Sequence, residues 1–202
     1  MTVPLQLGPD SIVLRDVANE CLVTYHANYL GRGEADRLYA ELTEGEWVSD
    51  RPKMFGKVYP TRRKTRAFGE VGYTYNGSVS RTPEAFSGEL ERLRARIAES
   101  VGAVPNSCLA NLYPDGLAGL GAHADNEPGI EAGSPIVGIS LGGERRFVLL
   151  DRVTRKKAAE VTLEQGSCLV MWLQTQKHYL HCIPTTVVDV SPRISLTFRV
   201  MV

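Results

Sequence analysis

Apolar residues along this chain recur with two periods, and the change from one to the other divides it. Short apolar runs at Ile12 to Leu14 and Cys21 to Tyr25 predict strands at the edge of the fold. From Gly33 to Thr43, Ala35, Leu38 and Leu42 fall at helical spacing with acids early in the stretch, where a helix dipole favours them, which predicts an amphipathic helix packed on a sheet. Phe68 to Tyr75 alternates bulky residues and ends at Asn76-Gly77, so it predicts a strand entering a turn. Tyr73 and Tyr75 share a face by the two-residue period and serve either the core or a pocket wall. A second helix is expected to begin at Thr82-Pro83, with Thr82 as cap, Phe86, Leu90, Leu93 and Ile97 on one face, and a stop at Val101-Gly102. Its other face carries Glu89, Arg92, Arg96 and Glu99 and belongs in water, so this helix is scaffold.

After Pro105 the period becomes that of strands throughout: Cys108 to Tyr113, Pro135 to Leu141, Arg146 to Leu150, Ala159 to Leu163, Ser167 to Leu173, Tyr179 to Ile183 and Ile194 to Val200. Seven short strands preceded by two helices indicate a mainly β, α+β fold, an antiparallel barrel or jelly roll with the helices against one face. No repeat, low-complexity tract or linker divides the chain, so residues 1–202 are expected to form one domain, with a core at about 105–202 and a distinct segment at about 50–80.

Composition changes this picture in one respect. The chain of 202 residues is 43% hydrophobic and 23% charged, and its 23 basic residues equal its 23 acidic ones. A general electrostatic attraction to nucleic acid or membrane is thereby excluded, and such binding needs a local patch. Arg51 to Arg66 is that patch: Arg51, Lys53, Lys57, Arg62, Arg63, Lys64 and Arg66 occur with no acid among them, interleaved with Met54, Phe55 and Tyr59. It is either a solvated charged hairpin or a phosphate-gripping flap with apolar residues at its tip, and its concentration in a neutral protein favours the flap. Cys21, Cys108, Cys168 and Cys182 are scattered without a CxxC pair, which argues against a structural zinc site or a disulfide framework and for reduced thiols. The opening MTVPLQLGPD has neither a basic nor an apolar leader region, and no apolar run reaches bilayer length. The expectation is therefore a monomer that is not secreted or membrane-bound, cytoplasmic, or nuclear in a eukaryotic cell.

Candidate chemistry lies between Cys108 and Arg199. His123 and Asp125 stand two apart, so on extended backbone they project to one side. A third ligand from a distant strand completes two imidazoles and a carboxylate, the set that leaves open positions on non-haem Fe(II). His178 and His181 are both available and face opposite sides of a strand, so spacing leaves the choice open. Arg193 and Arg199 occur in an otherwise apolar strand, an even number of residues apart and so on one face. A buried arginine needs an anionic partner, either an internal acid or a bound dicarboxylate accepting a guanidinium fork. Asn111 and Tyr113, again on one face, can add hydrogen bonds to the same anion.

Asn111-x-Tyr113, His123-x-Asp125-x-Glu127-Pro128, the run from Pro135 to Gly142, His181-x-Ile-Pro184 and Arg193-x-Ser-Leu-Thr-Phe-Arg199 together resemble the AlkB family of Fe(II)/2-oxoglutarate dioxygenases over roughly residues 50 to 202. The resemblance implies a double-stranded β-helix core. It implies His123, Asp125 and His181 as iron ligands, the last because it stands two residues before the proline of His-x-Ile-Pro, with His178 then at the surface or behind the ligands. It implies Asn111, Tyr113, Arg193 and Arg199 as the holders of 2-oxoglutarate, with O2 as the other co-substrate. Met54-Phe55-Gly56-Lys57 resembles the hairpin by which a duplex-repairing member probes base pairs, so Phe55 would wedge into the stack beside Met54, while Lys57, Arg62 and Arg63 hold phosphates. Tyr75 matches a pocket aromatic and Glu127 an acid near the target base, whereas Gly77 stands where that member has a second aromatic.

The implied reaction is oxidative demethylation of 1-methyladenine and 3-methylcytosine in DNA or RNA, releasing formaldehyde, succinate and CO2. The alternatives are the same chemistry on 5-methylcytosine, N6-methyladenine, a protein or a small molecule, a zinc hydrolase, or a non-catalytic nucleic-acid reader. A hydrolase has no use for Arg193 and Arg199, and a complete ligand set counts against a reader.

Overall fold

The computed structural model describes residues 11–49, 53–54, 57–58, 61–71, 73–75, 78–127 and 129–202. Phe55 lies outside the described residues, as do Gly56, Asn76, Gly77 and Pro128, and Met54, Lys57 and Tyr75 enter through their backbone. In chain order the elements are β1 (Ser11–Asp16), β2 (Cys21–His26), α1 (Arg32–Thr43), β3 (Val48–Ser49), β4 (Lys53–Met54), β5 (Lys57–Val58), β6 (Lys64–Gly69), β7 (Tyr73–Tyr75), β8 (Ser78–Arg81) and α2 (Gly88–Val101). Then follow β9 (Ser107–Tyr113), β10 (Leu120–His123), β11 (Ile136–Gly142), β12 (Arg145–Asp151), β13 (Lys157–Leu163), β14 (Cys168–Leu173), α3 (Thr175–His178), β15 (Tyr179–Ile183) and β16 (Arg193–Arg199).

The strands from β9 onward divide between two antiparallel sheets, β14-β11-β16-β9 and β10-β15-β12-β13, which is the four-on-four arrangement of a double-stranded β-helix. The larger sheet continues through β2 to β1 at one edge and through β6 to β3 at the other. Alternation along its strands settles which side is which. Ile194, Leu196 and Phe198 of β16, Val137, Ile139 and Leu141 of β11, and Cys168 and Val170 of β14 pack with Leu38 of α1 and Leu90, Leu93 and Ile97 of α2 into one core. The residues between them, Arg193, Ser195, Thr197 and Arg199 on β16, Gly138 and Ser140 on β11, and Asn111 and Tyr113 on β9, line a cavity on the opposite side. Helices on one face thus leave the other free to be polar.

Two expectations are corrected. The second helix starts at Gly88, with Ser87 in extended backbone at its cap, and not at Thr82-Pro83. The stretch before it is used for pairing: Glu84 bridges Phe68, its N–H donating to Ala67 O at 2.9 Å while its carbonyl accepts from Gly69 N at 2.8 Å. Phe86 therefore stacks on Phe198, at 6.2 Å between ring centroids, from outside the helix. The strand expected over Phe68 to Tyr75 is also broken. β6 ends at Gly69, whose φ of +137° and close approach to Asn106 O exclude a side chain, and β7 then pairs with β8. Beyond these, β3, β8, β10 and the single turn of α3 had no counterpart among the expected elements. No helix among the described residues is long and apolar enough to cross a membrane.

Candidate active site

Antiparallel pairing of β10 with β15 places His123 directly opposite His181, although 58 residues separate them in sequence. Their rings lie 4.2 Å apart at 55°, and Phe147 of β12 stacks on the far side of His181 at 5.4 Å. Asp125 follows β10 in irregular backbone and is buried. Its Oδ1 faces His123 Nε2 at 3.5 Å and His181 Nε2 at 3.9 Å, and one ligand atom from each of the three residues lies within 4.8 Å of the others.

His123 Nδ1 is 2.9 Å from Gly121 O, a carbonyl that can only accept, so Nδ1 donates there and Nε2 is the ring nitrogen that faces Asp125. Nε2 of both imidazoles and a carboxylate oxygen then converge on one point, a donor set that suits a cation between them. Burial works against the Asp125 carboxylate, yet the Arg199 guanidinium and the two imidazoles outweigh it and hold Asp125 well below the usual carboxylate range. Burial likewise opposes a charged His123, but its hydrogen bond to Asp125 and that residue's charge raise it above the ordinary histidine value. For His181 burial outweighs the Asp125 charge and pushes it down to about 4, so its ring is neutral at neutral pH and can serve as a ligand.

The two arginines of β16 differ. Arg199 meets an internal acid, its Nη2 donating to Asp125 Oδ2 at 2.8 Å. Arg193 meets none: Nη2 donates to the hydroxyls of Ser140 at 2.9 Å and Ser195 at 3.3 Å, while Nε and Nη1 find no hydrogen-bond partner among the described residues. Only 1% of Arg193 is exposed. Burial pushes its guanidinium down to about 10, still charged at neutral pH. Its charge sits 5.3 Å from the centre of the Tyr113 ring, whose other neighbour is Arg145 at 5.6 Å. Arg145 is structural, its guanidinium donating to the carbonyls of Asp115, Gly116, Ala118 and Pro184.

Asn111 lines the same cavity, and its Oδ1 accepts a hydrogen bond from Arg63 Nη1. This turns its amide nitrogen away from Arg63 and fixes which way the side chain donates. Arg63, expected outside among phosphate-holding residues, is instead buried and lines the cavity. Its neighbour Arg62 is exposed and pairs with Asp115 at 3.1 Å. Arg66, another member of the basic stretch, is scaffold: it pairs with Glu84 at 2.6 Å and lies over Phe68. Glu127 is half-buried. His178 ends α3 half-buried and does not line the cavity. The serine partners of Arg193 and the Phe147 cover of His181 escaped notice in the sequence, though the small residues Gly138, Ser140 and Gly142 alternating with Val137, Ile139 and Leu141 carried the signal.

A cluster of two imidazoles and a carboxylate, sharing a jelly-roll cavity with a buried arginine that meets no internal acid, has the donor set of a metal-dependent protein that also binds an acid. Residues 22–199 match the family described as the 2OG-Fe(II) oxygenase superfamily. DNA oxidative demethylase ALKBH2 of Mus musculus is 35% identical over 181 residues, covering 84% of this chain and 76% of that protein. Its Homo sapiens counterpart is 32% identical over 204 residues, covering 95% and 77%. A solved structure titled "The structure of OsALKBH1" superposes with a TM-score of 0.58 over 88% of this chain and 97% of that one, at 20% identity, and so shares the fold. The chain belongs to the AlkB family of 2OG-Fe(II) oxygenases and is a 2-oxoglutarate-dependent dioxygenase.

Proposed function

We propose that this dioxygenase oxidatively demethylates N-alkylated bases, 1-methyladenine and 3-methylcytosine, in DNA or RNA, releasing formaldehyde, succinate and CO2. The observation that carries the proposal is one cavity that gathers a donor atom each from His123, Asp125 and His181 together with a buried Arg193 that meets no internal acid and whose Nε and Nη1 have no hydrogen-bond partner among the described residues. These residues fit the pair that the family uses. Fe(II) bound by the cluster and 2-oxoglutarate bound beside Arg193 would supply, with O2, the oxidising equivalents for hydroxylating an N-methyl carbon.

The chain's own residues supply position and charge. Arg193 would take the distal carboxylate of the dicarboxylate as a fork, with the Ser140 and Ser195 hydroxyls fixing the guanidinium. Asn111, oriented by Arg63, and Tyr113 would add donors to the same anion. Arg199 keeps Asp125 ionised and in place, so that the carboxylate remains a ligand at any working pH. Phe147, Leu169 and Met171 line the same cavity with apolar surface that excludes water.

Substrate choice is assigned to the segment at 50–80. Phe55 and Met54 would enter the base stack, Lys57 and Arg62 would hold phosphates, Tyr75 would face the flipped base and Glu127 would contact its edge. The names of the relatives, a DNA oxidative demethylase among them, support nucleic acid as the target. Protein loaded with Fe(II) and 2-oxoglutarate without air should develop a weak visible charge-transfer band. In air, succinate should form in proportion to the methyl groups lost from oligonucleotides carrying 1-methyladenine or 3-methylcytosine. A panel that also carries 5-methylcytosine and N6-methyladenine reassigns the base if only those turn over. No coupled succinate on any nucleic acid overturns the proposal.

A further inference from the structure

Asp125 occupies backbone that is neither helix nor strand, yet it has to present its carboxylate at a fixed point. Its side chain is held by Arg199, and its backbone N–H donates to Gln176 Oε1 at 2.8 Å. Gln176 sits on α3, the single turn that leads into β15, five residues before His181. Its carboxamide is used at both ends, because Nε2 donates to Met171 Sδ at 3.0 Å and Met171 is a buried wall of the cavity. The turn beneath is anchored separately. Thr175 Oγ1 donates to Trp172 O at 2.6 Å and to Leu22 O at 3.2 Å, and Arg152 Nη1 donates to Gln176 O at 3.2 Å.

Resting on the proposed ligand roles of His123, Asp125 and His181, we infer that Gln176 is a positioning residue, a clip that ties the loop bearing Asp125 to the turn that carries His181 and so sets the affinity of the site for a divalent metal. The geometry of β10 against β15 fixes the two histidines, since they are ladder partners. No ladder fixes Asp125, and the clip supplies what the ladder does not. Glutamine suits the position because one end must accept from a backbone amide and the other must donate to a thioether. A methionine of similar length has no donor and offers only a weak thioether acceptor, so Asp125 N–H would lose its carbonyl partner.

The test is the affinity of the metal-free full chain for Co(II) alone, read by its visible d–d absorption and by calorimetry, beside thermal melts without metal. Gln176→Met should weaken Co(II) binding by about 10 to 100-fold, the usual effect of removing a partner behind a metal ligand. Gln176→Glu keeps an acceptor for Asp125 N–H and should recover most of that loss. Thr175→Val loosens the same turn without touching Asp125, and should lower the melting temperature while Co(II) binds as in the wild type. Where Gln176→Met does not fold, Gln176→Asn withdraws the acceptor by one methylene and should show the same loss. Wild-type Co(II) affinity in the variant lacking the acceptor refutes the clip, and so does an equal loss in Thr175→Val. Asp125→Ala separates the two levels: if it binds Co(II) as the wild type does, the ligand assignment itself fails, whereas loss there with wild-type binding in Gln176→Met removes the clip alone.

Discussion

At the end of the cavity where β10 meets β15, one donor atom each from His123, Asp125 and His181 converges on the others, and along β16 the buried Arg193 has Nε and Nη1 without a hydrogen-bond partner among the described residues. The contrast is sharpest between Arg199 and Arg193, six residues apart on one face of one strand. Arg199 is neutralised from within by Asp125, and Arg193 is left to be neutralised from outside. A buried pair is a structural element whose loss exposes the survivor, whereas a buried lone charge is a liability that only a ligand relieves. One strand therefore carries both an arginine paired inside the protein and, on the proposed reading, an arginine that takes the co-substrate.

This difference can be broken by substitution. The largest effect is expected from Asp125→Ala, which should reduce succinate formation to background and strip the site of metal affinity. Arg199→Met should cost the ligand-free protein about 3 to 5 kcal/mol, measured by denaturant melts, because it leaves a buried carboxylate without its partner. Arg193→Met should leave the ligand-free protein as stable as the wild type or more so. It should instead weaken 2-oxoglutarate binding by roughly 100-fold or more, since two charged hydrogen bonds at about 1.5 to 3 kcal/mol each are forgone. Equal destabilisation by the two arginine variants would erase the distinction and make Arg193 structural.

How much of this was open to the sequence follows the same division. Strand period alone placed seven of the eight core strands to within two residues, because β9, β11, β14 and β16 alternate apolar residues packed on the helices with residues facing the cavity, while β12, β13 and β15 alternate residues buried between the sheets with more exposed ones. The same period put Arg193 and Arg199 on one face. It had no means of telling them apart, since the acid that meets Arg199 lies 74 residues away in an irregular loop. β10 escaped because Leu120-Gly-Ala-His123 is short, with only glycine and alanine at its exposed positions and no alternating bulky residues, and only its pairing with β15 makes it a strand. The false start at Thr82-Pro83 has a physical cause too: the local capping signal was sound, but Glu84 gains backbone hydrogen bonds along β6 that a helix would forfeit. Gln176 was illegible for the opposite reason, as nothing local marks a glutamine whose partner is a backbone amide 51 residues earlier.

Acid should act on the two ends unequally. His181 has a folded value pushed down to about 4, below its unfolded value near 6.5, so between those limits the unfolded chain binds more protons. Its contribution to stability is complete above pH 6.5 and is lost as pH falls toward 4. His123 is shifted upward and works with the opposite sign, contributing fully below pH 6.5 and losing that contribution as pH rises through its folded value. Protons and metal therefore compete for His123, so the Co(II) affinity of the metal-free protein should fall as pH is lowered, measurable by calorimetry across pH, and an affinity that does not change with pH would refute a titrating imidazole in the site. Arg193 remains charged throughout this range, so 2-oxoglutarate binding to the metal-loaded protein should fall in acid only as far as metal is lost.

The smallest effects should separate Arg62 from Arg63, which are adjacent in sequence and opposite in placement. Arg62 is exposed and its pair with Asp115 is solvated on both sides, so Arg62→Ala should change stability by no more than about 1 kcal/mol. If Arg62 holds a phosphate, it must leave Asp115 to do so, and its removal should lower the salt dependence of nucleic-acid binding by about one unit of slope. Asp115 keeps its other task in either case, because its Oδ1 accepts from the backbone N–H groups of Leu117 and Ala118 at 2.9 Å. Arg63 faces inward to Asn111, so Arg63→Ala should raise the KM for 2-oxoglutarate while leaving that slope nearly unchanged. Salt slopes and KM values measured side by side would then show the basic stretch serving two masters, with Arg62 answering to the nucleic acid and Arg63 to the co-substrate. A common response in both variants would mean that the inward turn of Arg63 has no bearing on 2-oxoglutarate.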